Sequence, residues 1–225
     1  MIQAGNDREY RLAQLDDQAG RRRGSFIWHP PIALSVRARV SSASIPGTWG
    51  FGLWNDPFGF GCSPATETWQ APAPPQAAWF FSASPMSYLS FREDSPANGF
   101  FAQVLRSPKA GIWLVPIALS LPFAARSARR TLSRRILEDA AGVAPDPSAW
   151  HRYEIRWQHQ STQFSIDEHV LLETRVSPRA PLALVIWIDN QYAAFDPGGR
   201  FARGVERNQE EAWLEVEALS CEPGL

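Results

Sequence analysis

The run "IALSVRARV" at 32–40 is apolar at every second position. Ile32, Leu34, Val36, Ala38 and Val40 face one way, and Ser35, Arg37 and Arg39 face the other. A period of two is the mark of a strand with one face buried and one face wet, as in an antiparallel sheet. Trp49, Phe51 and Leu53 repeat the pattern, with Gly50, Gly52 and Trp54 opposite. Short β-type runs follow at "QAAWFFSAS", "SYLSF" and "GFFAQVL", then at 150–158, 163–167, 170–174, 182–189 and 212–219. Residues 8–17, with Tyr10, Leu12 and Leu15, supply a first strand, "GRRRG" at 20–24 is a solvated turn, and "DEH" at 167–169 is a tight hairpin turn. Nineteen prolines and fifteen glycines punctuate these runs. So many short strands at regular spacing predict an all-β sandwich or barrel, not a helical bundle.

A chain of 225 residues suits one domain of this class, spanning 1–225. Its net charge of −1 gives no global attraction to nucleic acid, so none is expected as a partner. Cys62 and Cys221 are too few for a zinc site, and His29, His151, His159 and His169 have no metal-ligand spacing; no metal and no cofactor are expected. The first residues, "MIQAGNDREYRLAQLDD", contain no apolar signal segment. That favours a cytoplasmic protein with two free thiols, peripheral at the membrane under one reading given below. No phosphate-binding glycine loop, Gly-x-Ser-x-Gly or His-Glu-x-x-His is present.

The run "WHRYEIRWQHQSTQFSIDEHVLLET" resembles a hairpin of the concanavalin A-like jelly rolls, above all the laminarinase-type β-glucanases of glycoside hydrolase family sixteen. His151, Tyr153 and Trp157 keep the His-x-Tyr-x-x-x-Trp spacing of that hairpin, and "IDEH" stands where the family has "VDG". "GTWGFGLWNDP" is similar to the family's Gly-x-Trp-Pro-Ala-Phe-Trp strand, and "PLALVIWIDNQY" to its late cleft strand. The resemblance spans residues 23–219 and implies an antiparallel two-sheet jelly-roll sandwich, with residues 109–145 as an insertion. The family's Glu-x-Asp-x-x-Glu is missing: the matching strand, "AAWFFSASPMSY", holds no carboxylate. Retaining hydrolysis needs two carboxyl groups about 5 Å apart, and this strand supplies neither.

What the resemblance implies is a cleft with carbohydrate or a small molecule as its ligand. Its candidate binding residues are Trp54, Asn55, Asp56, Trp187, Asp189, Asn190, Gln191 and Tyr192. By alternation Trp187 and Asp189 share a face opposite Ile186 and Ile188, and an indole beside carboxylate and amide groups suits sugar recognition. The plainer alternatives are an Asx-turn before Pro57 for Asn55 and Asp56, and a satisfied polar strand end for Asp189. Three readings follow: a non-hydrolytic lectin-like domain, an enzyme of another mechanism with Asp56 or Asp189 as acid or base, and a membrane-surface protein. The third rests on residues 111–135, where "GIWLVPIALSLPFA" precedes a basic amphipathic helix over 125–142. There Leu132, Ile136 and Ala140 recur at i, i+4 and i+8 among arginines. That segment would meet an anionic surface, fold over the sandwich as a lid, or pack as a surface helix.

Overall fold

The computed structural model describes residues 1–5, 9–57, 73–108 and 125–224, with 125–128 as backbone only. Thirteen strands and one α-helix follow one another among these residues: β1 (Leu12–Asp16), β2 (Ile32–Val40), β3 (Thr48–Trp54), β4 (Gln76–Ala83), β5 (Gly99–Arg106), α1 (Ala125–Arg135), β6 (Leu137–Gly142), β7 (His151–Trp157), β8 (Thr162–Ile166), β9 (His169–Thr174), β10 (Ala183–Asp189), β11 (Gln191–Phe195), β12 (Phe201–Val205) and β13 (Leu214–Pro223). They form a six-stranded sheet, β1-β10-β3-β4-β5-β6, a five-stranded sheet, β13-β2-β7-β8-β9, and the separate hairpin β11-β12. Every strand pairing is antiparallel. The protein is therefore an all-β, two-sheet jelly-roll sandwich: alternation predicts the all-β class, and the resemblance implied the jelly roll.

The interior between the sheets is built from the apolar side of each strand. Leu34, Val36 and Val40 of β2, Trp49, Phe51 and Leu53 of β3, and Ile186 and Ile188 of β10 all lie in it. Aromatic rings dominate its centre. Phe80 meets Phe164 edge-on at 5.5 Å between centroids, and Tyr153 lies 5.1 Å from Phe51. Burying one such ring contributes about 2 to 3 kcal/mol, which makes this layer the main stabilising element. At the Asp167–Glu168 turn both residues have positive φ, 49° and 70°, and Ile166 pairs with His169 across it. Two positive φ values in a two-residue loop define the type I′ hairpin expected there.

Four elements depart from the sequence expectation. The helix ends at Arg135, and Leu137–Gly142 is not helix but strand β6, which pairs with β5. Leu132 of the helix and Ile136, the residue just after it, are both buried, but Ala140 sits opposite Gln103 in the sheet. The i, i+4, i+8 series runs past the true helix end because an unpaired β5 edge takes the following residues as its partner. The segment 109–145 is accordingly not a pure insertion, since it carries a strand of the six-stranded sheet. "SYLSF" is not a strand: Tyr88 makes one isolated bridge to Ala194. The hairpin β11-β12 adds a unit that the reading of "WIDNQY" as a cleft end left out. "GRRRG" is not wholly solvated, because Arg23 Nε donates to the carbonyls of Asn55 at 2.8 Å and Asp56 at 2.9 Å. Cys62, together with Ile112, Trp113, Leu114 and Leu119 of the apolar run, lies outside the described residues.

Candidate functional site

The six-stranded sheet has a second apolar layer on its outer face. Register places Trp187 opposite Gly50, Gly50 opposite Phe81, and Phe81 opposite Phe101. The next row outward reads Val185, Gly52, Trp79, Gln103 and Ala140. The two glycines form a floor that the indoles occupy. A Cβ on Gly50 would sit 2.7 Å from Trp187 Cη2 and 2.4 Å from the Phe80 carbonyl oxygen, and a Cβ on Gly52 would sit 2.6 Å from Trp79 Cβ. This accounts for aromatic residues alternating with glycine in β3: its large side chains fill the interior, and its glycines leave room for the rings of β4 and β10.

Three tryptophans meet over that floor. Trp54 and Trp187 are nearly parallel, 9° apart in plane and 6.5 Å between centroids, and Trp79 lies 6.3 Å from the first and 5.6 Å from the second. Trp54 and Trp79 are half-buried, whereas Trp187 is 9% exposed. Trp79 Nε1 donates to Gln103 Oε1 at 2.9 Å, and Gln103 Nε2 donates to Glu138 Oε1 at 2.7 Å. Burial pushes the Glu138 carboxyl above the usual carboxylate range, while the amides of Phe91 and Arg92 and the side chains of Gln103 and Ser90 pull it back. Trp54 Nε1 is buried with no hydrogen-bond partner among the described residues. Leu132 of α1 and Ile136 just after it form a buried cluster with Ala77 and Leu105, against which Trp54, Trp79, Phe91 and Phe195 pack. The apolar side of α1 is thus spent on the sheet, and no helix among the described residues is long and apolar enough to cross a membrane.

The candidate residues fall into three groups. Trp54 and Trp187 share this face, as alternation required. Asp189 is on it too but is 7% exposed and held by structure: Thr48 Oγ1 donates to its Oδ1 at 2.8 Å, the amides of Thr48 and Gln191 donate to the same oxygen at 3.2 Å, and the Tyr10 hydroxyl lies 3.5 Å from Oδ2. Trp187 Nε1 in turn donates to Thr48 Oγ1 at 3.0 Å, so the carboxylate orients the indole through the threonine. Asn190 is fully buried as a clamp; its Oδ1 accepts from the Arg11 amide at 2.8 Å and its Nδ2 donates to the carbonyls of Glu9 and Glu206. Gln191 is exposed, and Tyr192 packs on Gly204 in the β11-β12 hairpin. Asn55 ties the end of β3 to the start of β4: its Nδ2 donates to the Pro74 carbonyl and its Oδ1 accepts from the Gln76 amide, both at 2.9 Å. Asp56 is 1% exposed, with φ 44°. Asn55 serves the turn.

The two candidate acids do not meet. Asp189 pairs with Thr48 at one end of β3, and Asp56 lies beyond Trp54 at the other. At about 3.3 Å per residue they are more than roughly 20 Å apart. Among the described strands the other carboxylates on this face are Asp16 and Glu138, and Glu138 stands four strands across and six residues along from Asp189, roughly 28 Å away. No group of metal-ligating side chains is present among the described residues.

Sequence reasoning passed over Trp79, Gln103 and Glu138 as members of this face. The signal for Trp79 was there in its alternation with Ala77 and Phe81. Glu138 was hidden because its strand was read as helix.

No protein-family model matches the chain, and no curated protein matches it. Solved structures do. It is similar to a legume lectin-like domain from Entamoeba histolytica, at 10% identity and TM-score 0.49, covering 99% of this chain and 83% of that one. It is similar to a glycoside hydrolase family protein from Mycobacterium thermorestibile, at 13% identity and TM-score 0.44, covering 85% of this chain and 62% of that one. A pseudo β-1,3-glucanase and immunostimulatory antigen of Mycobacterium tuberculosis is similar at 12% identity and TM-score 0.44, covering 87% and 65%. The chain spans less than two thirds of the length of either mycobacterial protein. At these identities the likeness is one of fold, and the chemistry of this chain rests on its own side chains.

Proposed function

We propose that the outer face of the six-stranded sheet binds carbohydrate without hydrolysing it. The observation that carries this reading is the meeting of Trp54, Trp79 and Trp187 over a glycine floor, with two indoles nearly parallel. Sugar rings present apolar C–H faces that stack on indoles, and hydroxyl edges that need directed polar partners. The face argues against retaining hydrolysis by the two-carboxylate mechanism, since β4, the strand that matches the family's catalytic motif, holds no carboxylate. An enzyme using Asp56 and Asp189 as a pair is disfavoured because they stand at opposite ends of β3, and one using either alone would show itself as product.

The test is affinity measurement of the full chain on a panel of neutral oligosaccharides, with product analysis of the same mixtures. Wild type is expected to bind at least one glucan-type oligosaccharide with no product released, and Trp79→Ala to weaken binding at least tenfold. Stacking of one ring on an indole contributes about 1 to 1.5 kcal/mol, and loss of the Trp79–Gln103 bond adds to the cost. Release of shorter sugars, or unchanged binding by Trp79→Ala, would overturn the reading.

A further inference from the structure

Beside the tryptophan face, and separated from it by Ile136 and Glu138, a cavity of about 520 Å³ opens between α1, residues 91–94 and β6. Arg129 lines it. This guanidinium is only 4% exposed and lies between two rings, 5.2 Å from the Tyr88 centroid and 5.4 Å from that of Phe195. Its Nη2 donates to the Ser90 carbonyl at 3.1 Å, and its Nη1 has no hydrogen-bond partner among the described residues. The aromatic faces offset part of the cost of burying the cation, but they accept no in-plane N–H bond. A buried donor left unmade is costly and uncommon, and a guanidinium edge fits a planar carboxylate.

Two further arginines stand in a lining that holds four arginines and four carboxylates in all. Arg130 and Arg134, one helical turn apart on α1 and both exposed, also line the cavity. Arg129, Arg130 and Arg134 make no ion pair among the described residues. The cavity has acidic groups too, but two of them are engaged elsewhere: Asp94 holds Arg92 at 2.7 Å, and Glu138 accepts from Gln103 and from the Phe91 amide. Glu93 and Asp139 complete its acidic lining.

We infer that this cavity receives the carboxylate of an acidic sugar unit, with Arg129 as its buried anchor and Arg130 and Arg134 at its mouth. The inference rests on the carbohydrate reading above and narrows it to uronic-acid-containing chains. A cavity of this volume accommodates a sugar ring, and the Trp79–Gln103–Glu138 bonds join its wall to the indole platform.

The experiment is titration calorimetry of the full chain with a β-linked glucuronic acid tetramer, a glucose tetramer of the same linkage, and sodium acetate as a free anion. Wild type is expected to bind the acidic tetramer at least tenfold more tightly than the neutral one. Arg129→Met is expected to erase that preference. Because Arg129 is buried, the double variant Arg130→Ala with Arg134→Ala, at exposed positions, provides a second arm: its preference falls several-fold with an unchanged melting temperature. Equal affinity of wild type for the two tetramers overturns this inference and leaves the carbohydrate reading standing. Binding of neither overturns the carbohydrate reading and this one with it. Acetate binding that is lost in Arg129→Met, without preference for the acidic tetramer, assigns the cavity to a free anion and overturns the sugar assignment.

Discussion

Asp189 illustrates how one side chain can have the chemistry of a binding group and the surroundings of a structural one. Burial pushes its carboxyl up to about 6, against the hydrogen bonds from Thr48, Gln191 and Tyr10 that favour the charged form. An aspartate in an unfolded chain titrates near 3.9, so the folded protein holds this proton more tightly. The contribution of the group to stability is therefore full below about pH 4 and is lost as pH rises through 6. Over that interval the loss amounts to about 3 kcal/mol. Asp189→Asn keeps an oxygen for the Thr48 hydroxyl and does not ionise. Urea unfolding at pH 4 and pH 7 should show wild type losing about 2 kcal/mol relative to this variant, since the unfolded aspartate is already half ionised at pH 4; parallel stabilities at the two values would refute the assignment. Asn55 and Asn190 follow the same logic, since amides that bond backbone on two sides have little left for a ligand.

At the scale of elements, short-range rules held where local chemistry decides and failed where a neighbour decides. The β8–β9 turn is local: Asp167 and Glu168 adopt left-handed backbone because only that conformation matches the twist of a two-residue hairpin. A left-handed non-glycine residue costs roughly 1 kcal/mol, and glycine avoids most of it. Glu168→Gly should raise stability by about 0.5 to 1 kcal/mol in thermal unfolding, and a lowered melting temperature would show that the side chain contributes more than the strain costs. The stretch after Arg135 is the contrary case. Its apolar spacing continues a helix, yet pairing with β5 satisfies two rows of backbone groups at once, and that outcome depends on a strand some thirty residues earlier.

Across the whole molecule the two outer faces differ. The five-stranded sheet shows charge to solvent: Arg39 pairs with Glu215 at 2.8 Å, Arg37 pairs with Glu217, and Trp150 and Trp213 lie beneath these guanidinium groups. Exposed pairs of this kind contribute a few tenths of a kcal/mol. The six-stranded sheet is apolar on both faces, so its outer one needs a cover, which α1, residues 88–91 and the β11-β12 hairpin supply in part. Central strands paired on both edges should hold their amides longest, and the hairpin, which pairs as a sheet only with itself, should open first. Native-state hydrogen exchange should therefore find β3, β4 and β10 slowest and β11-β12 among the fastest. A hairpin as protected as β3 would mean that its docking on residues 84–88 is part of the global core.

Alternation alone determined much of this protein. It assigned Ile32, Leu34, Val36, Ala38, Val40, Trp49, Phe51, Leu53, Ile186 and Ile188 to the interior, and it put Trp54 and Trp187 on the opposite side, because side-chain direction along a strand has a period of two whatever the strand pairs with. What only the tertiary structure decided is which strands become neighbours and what lies over them. Trp79 meets Trp54 and Trp187 through the order β10-β3-β4, Glu138 reaches Gln103 through β5-β6, and Asp56 and Asp189 are held apart by the length of β3. Strand order is set by contacts between segments distant in the chain, so local periodicity carries no record of it.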